Sequence, residues 1–178
     1  MLNALIFRIF LLAFFLLAAL KWGDWKNWQK YYPTVLFVMV QNLAAAFFAY
    51  HHTLWQYNQD ILVKSYTTVE ILNAFVLLPA VTITFLSKLP FHKSTVCQYG
   101  YIAWWVVIFG SLEFIAHYIV GSLSYGNGWS WKASILFDVG MFSIIRMHYI
   151  RPLLAWVMNL LMISAIIILL DFSTGQFK

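Results

Sequence analysis

The chain reads as an all-α integral membrane protein, a bundle of six transmembrane helices joined by short loops. Three observations carry that expectation. Of the 178 residues, 63% are hydrophobic and only 10% are charged, against about 45–50% and about 25% in soluble domains. The mean hydropathy is +0.78. The apolar residues also gather into six runs, each close to the ~20 residues a helix needs to cross a bilayer. Such spans account for most of the chain and leave no room for a separate aqueous domain, so 1–178 is expected to form one unit.

The first run, 2–20, lacks the basic leader of a secretion signal, carries Arg8, and meets Lys21 directly, which predicts a retained helix. After it comes a stretch dense in Trp and Lys, where Trp22, Trp25 and Trp28 recur every third residue and suit a headgroup layer. Pro33 suits the first turn of a second span, 33–50. A polar loop follows, then a third span at 67–86, where Pro79 predicts a kink. The basic connection around Lys88 and Lys93 leads to a fourth span, 101–120. Gly121 to Gly128 reads as a turn. The fifth and sixth spans, 131–148 and 152–170, leave a very tight hairpin between them. Asp138 and Arg146 weaken the fifth, so five spans with one re-entrant segment is the alternative.

Basic residues orient the bundle. Lys21, Lys26, Lys30, Lys88, Lys93, Arg146 and Arg151 fall at the odd loops, whereas Lys64, Lys132 and Lys178 fall at the even loops and the C-terminal tail. The positive-inside bias puts the odd loops in the cytoplasm and both termini outside. Trp22, Trp25, Trp28, Trp104, Trp105 and Trp156 are then expected near the inner interface, and Trp55, Trp129 and Trp131 near the outer one. Trp22, Trp25, Trp28, Trp129, Trp131 and Arg151 read as interface anchors. The net charge of +5 follows span ends rather than forming a patch, which predicts a lipid bilayer and no nucleic acid as partner.

Ionisable groups inside spans are costly and mark function by default. Glu113 lies seven residues before the outer end of span four, and Asp138 seven after the outer start of span five. At 1.5 Å per residue both belong ~10 Å below the outer surface. His117 shares a helix face with Glu113. Glu70 and Asn73 enter the outer end of span three, and His51 closes span two on the same side. The functional expectation is a polar site in the outer half of the bilayer, built from Glu113, His117, Asp138, Glu70, Asn73 and His51, that binds or transports a small solute or ion. Glu113, His117 and Asp138 are weak metal-ligand candidates through the i,i+4 spacing of the first two. Two other classes remain open. These acids can serve helix packing in a structural or partner-binding protein, or belong to a membrane-embedded enzyme acting on lipid.

Arg8 is expected either to reach outward or to pair with Glu70 or Asp138. The segment 126–131 reads as a turn with interfacial tryptophans rather than as a ligand lid. No nucleophile elbow, phosphate loop or redox motif occurs, and the single cysteine, Cys97, rules out an intrachain disulfide. No cofactor is indicated.

Three segments carry a resemblance: Lys21-Trp22-Gly23-Asp24-Trp25-Lys26-Asn27-Trp28, the stretch 125–131, and Met147-His148-Tyr149-x-Arg151-Pro152-Leu153-Leu154-Ala155-Trp156. They resemble a family of small multi-spanning membrane proteins of endospore-forming Gram-positive bacteria, to which no activity is assigned. The resemblance implies a bacterial cytoplasmic membrane and supplies no site residues.

Overall fold

In the computed structural model, which describes residues 1–170, the chain is predominantly helical. Its helices are α1 (Leu2–Trp22), α2 (Trp28–Phe48), α3 (Tyr66–Leu72), α4 (Leu78–Lys88), α5 (Thr95–Phe114), α6 (Trp131–Ile150) and α7 (Pro152–Leu169). α3 runs into α4 through a π-helical turn at Asn73–Leu77, and α5 extends through another at Ile115–Val120. Six helical stretches result, each long and apolar enough to cross a membrane. The fifth and sixth expected spans form separate helices, α6 of 20 residues and α7 of 18, with only Arg151 between them, and each has the length and apolarity that a crossing needs. Arg151 leaves the helical region at φ −142°, ψ 80°, and Pro152 opens the next helix.

Several boundaries differ from expectation for local reasons. The Ser94 side chain caps α5 by accepting from the Cys97 amide, so the helix starts at Thr95 rather than 101. Trp104 and Trp105 therefore sit ~9 Å deeper than an interfacial position, and Trp105 is a core residue only 6% exposed. Pro33 lies inside α2 rather than at its start, because the helix already begins at Trp28. Pro79 follows the wide π turn, which absorbs the backbone break that proline imposes.

α6 packs between α5 and α7, and α4 packs against α1 and α2. The centre is aromatic: Phe85 and Phe142, both fully buried, lie 5.0 Å apart between Trp105, Tyr101 and Phe109. Close approach of the outer helices needs glycine. A Cβ on Gly110 of α5 would meet Ile135 of α6, and one on Gly140 of α6 would lie 2.7 Å from the Met162 sulfur of α7.

The odd loops share one end of the bundle and are tied together there. The Asp24 amide donates to Ser87 Oγ, and its carboxylate accepts from Asn27 and Tyr31 and pairs with Lys30 at 3.3 Å. The Asn27 amide, helped by Lys30 and Tyr31, holds this carboxyl below its ordinary range. Its stabilising effect is therefore present above the ordinary carboxylate pKa and lost as pH falls through the depressed one. Gln98 accepts from Arg146 at 2.7 Å and donates to the carbonyls of Phe91 and Lys93. His148 stacks on Phe37 and pairs with Thr34, and Arg151 is exposed. Of the basic residues used for orientation, Lys178 lies outside the described residues.

The α6–α7 contact gives a direct expectation. Gly140→Val should lower stability by about 1–3 kcal/mol, read as the midpoint of SDS-induced unfolding, with Gly140→Ala milder because the Met162 side chain can swing aside.

Candidate functional site

At the other end of the bundle, the two even loops form structure where only a polar loop and a turn were expected. β1 (Trp55–Tyr57) pairs antiparallel with β2 (Leu123–Tyr125), matching Trp55 with Tyr125 and Tyr57 with Leu123. Both triplets run apolar, polar, apolar, the alternation of a half-buried strand. Three residues are too few to separate that signal from a loop. Flanking bonds extend the ribbon: Asn58 N–H donates to Ser122 O, and Gly126 N–H donates to Leu54 O. The turn beyond β2 uses left-handed backbone at Asn127 (φ 49°) and Gly128 (φ 80°), and the Asn127 amide donates to Thr53 O.

Side chains fasten this ribbon to the helices. His117 Nδ1–H donates to the Leu123 carbonyl, and its ring lies 4.3 Å from Tyr125. The Tyr125 hydroxyl donates to Glu113 Oε1 at 2.8 Å. Arg8 pairs with neither Glu70 nor Asp138. It forms an ion pair at 3.2 Å with Asp60 in the loop after β1, whose carboxylate also accepts from the Leu62 and Val63 amides. A second Arg8 nitrogen donates to Asn58 O. Asp60 was legible only indirectly, as a counter-ion for an arginine inside an apolar run.

Beneath the ribbon lies a cavity of about 260 Å³. Trp55, Tyr57, Leu123 and Trp129 stand at the ribbon end. A polar belt on four helices follows: Gln41 and Asn42 of α2, Glu113 of α5, Ser134 and Asp138 of α6, and Asn159 of α7. Deeper lie Phe15, Phe37, Val38, Ile144 and Ile145. By helical rise Ser134 sits ~5 Å, the rest of the belt ~10–15 Å, and the apolar floor ~15–20 Å from the helix ends at the ribbon. Asn73 was the one neutral amide expected at the site; the sequence signal of Gln41, Asn42 and Asn159 is a polar residue interrupting an apolar run.

Most belt groups have partners. Asn159 donates to Gln41 at 2.6 Å, Asn42 donates to Glu70, and the Trp129 indole donates to Ser134. Asp138 differs. It is 6% exposed, and its Oδ2 is fully buried with no hydrogen-bond partner. Burial pushes the Tyr57 phenol above its ordinary range, with further contributions from Glu70, Glu113, Tyr66 and Asp138. Tyr57 therefore stays a neutral O–H at physiological pH.

The structure thus brings two of the six expected ligand residues, Glu113 and Asp138, to the cavity wall. Glu70 stands one residue behind, on Asn42. Asn73 borders a smaller cavity of about 80 Å³ beside Arg8. His117 is turned to β2, and His51 is exposed against Tyr50. His117 does not line the cavity wall that Glu113 and Asp138 share. No group of three His, Cys, Asp or Glu suited to a metal occurs among the described residues. Trp22, Trp25 and Trp28 are exposed. Trp129 is not an anchor. It is 9% exposed and packs on Trp55 over the cavity, because its indole N–H is satisfied by Ser134. Trp131 is half-buried and donates to Gly110 O.

Removing one member of a buried ion pair strands the other charge. Asp60→Asn should therefore cost about 3 kcal/mol, seen as a lower thermal midpoint of the purified protein, while Asn58→Ala should cost less. No known family model, curated protein or solved structure matches this chain, so the geometry of the site alone carries a functional reading.

Proposed function

We propose that this is a multi-pass protein of a bacterial cytoplasmic membrane that binds a small solute in the cavity beneath the ribbon, with that end facing outward. Wide apolar exposure supports the membrane setting. Leu153, Leu136 and Leu169 are each more than 70% exposed, on faces that water would not tolerate. The arginine and lysine bias supports the orientation, since the end opposite the ribbon gathers Lys21, Lys26, Lys30, Lys88, Lys93, Arg146 and Arg151. The resemblance of 21–28, 125–131 and 147–156 to proteins of endospore-forming bacteria supports the choice of membrane.

The binding reading rests on Asp138. A buried carboxyl oxygen without a partner costs free energy, and this one stands on the wall of a cavity large enough for a guest. A mostly apolar hollow with a few convergent polar groups is the usual form of a small-molecule site. The packing alternative draws on Glu70–Asn42, Asn159–Gln41 and Glu113–Tyr125, each of which joins two elements. Those pairs give each of their residues a partner, although Oε1 of Glu70 is buried without one, and they leave Asp138 with none.

Native mass spectrometry of gently purified protein tests the reading. Wild type should retain a small molecule that the folded Glu113→Gln/Asp138→Asn variant loses. Retention of nothing by wild type, together with unfolding of the variant, would favour the packing account. The exposed Cys97 tests orientation. A membrane-impermeant maleimide should leave it unlabelled in intact cells and label it after permeabilisation. A Cys97→Ser variant carrying Asn127→Cys should label without permeabilisation.

A further inference from the structure

We infer that the guest is a small organic cation, an ammonium or guanidinium group on an apolar body. This rests on the reading of the cavity as a binding site and adds the chemical class of the occupant. Among the described residues, the wall carries two carboxyl groups, Glu113 and Asp138, and no Lys, Arg or His. The nearest arginine is committed elsewhere, because Arg8 borders the separate smaller cavity and pairs with Asp60. One oxygen of Glu113 already accepts from Tyr125, whereas Oδ2 of Asp138 accepts from nothing.

A neutral donor would give Oδ2 of Asp138 an ordinary hydrogen bond. A cation pairs with the carboxyl in its ionised form, and charge-assisted hydrogen bonds are about twice as strong as neutral ones. An anion would meet two acids and no base. A bare divalent metal is poorly served, since hard cations require several oxygen ligands and no suitable cluster of three acidic or imidazole groups is present among the described residues. The aromatic wall fits the same class. The Trp55 and Phe137 rings, 5.6 Å apart, both border the cavity and offer π faces to a cation. Phe15, Phe37 and Ile144 below supply an apolar seat for the rest of the molecule.

Three probes of one shape separate charge from fit: phenethylammonium, phenethyl alcohol and hydrocinnamate. Each is titrated into wild-type protein in zwitterionic nanodiscs, with tryptophan fluorescence and the thermal midpoint as readouts. Phenethylammonium should bind at least about tenfold tighter than the alcohol, or about 1.4 kcal/mol, and hydrocinnamate should not bind. Asp138→Asn should abolish the preference, chiefly by weakening phenethylammonium. If that variant does not fold, the wild-type ranking decides alone. Equal binding of ammonium and alcohol would overturn the inference and leave the cavity a binding site for neutral solutes. Failure of all three probes to bind would also overturn it, and the mass-spectrometric result then judges separately whether the cavity binds anything.

Discussion

A hollow between helices persists only if its mouth is held, and here six residues hold it. Two strands of three residues would not stay paired on their own. The ribbon stands because its neighbours fix it: His117 on the Leu123 carbonyl, Tyr125 on Glu113, and the Arg8–Asp60 pair behind β1. Each of these links is polar, and each reaches from a loop into an apolar helix. The dependence runs both ways. Without the ribbon and the loop beside it, His117 and Arg8 would lose these partners and Glu113 would keep only Ser134.

The acids divide into two kinds. Asp24 has Asn27 and Lys30, Asp60 has Arg8, Glu70 has Asn42, and Glu113 has Tyr125. Each fastens two pieces of chain, and the structure accounts for it. Asp138 fastens nothing, although it is as deeply buried as Glu70. Folding alone would have tolerated an apolar residue on α6 at that position. The contrast is sharper for being internal to one molecule, since the same bundle shows what a carboxylate used for packing looks like.

The helices were legible because hydropathy acts over twenty residues, and the depth of Asp138 followed directly once α6 began at Trp131 as expected. What a helix faces was not legible. Rotation about the axis is set by packing, so sequence spacing put His117 beside Glu113 without revealing that its ring turns to β2. Capping moved α5 earlier by one short-range bond at Ser94, and Trp105 went from the interface to the core with it. Gln41, Asn42 and Asn159 give only a faint signal, because a neutral amide costs less to bury than a charge. The ribbon escaped because pairing between loops more than sixty residues apart leaves no local trace.

Gly110 and Gly140 bear on how a guest would get in. Ile135 of α6 occupies the notch at Gly110, and Met162 of α7 occupies the notch at Gly140. The helix that carries Asp138 is thus keyed to its neighbours on both flanks, like a plank tongued on one edge and grooved on the other. Turning it about its own axis would press Ile135 against the α5 backbone at Gly110 and displace the Met162 side chain at Gly140. The acid is therefore held in place along α6, and the short strands and turns above it stand between the cavity and that end of the bundle.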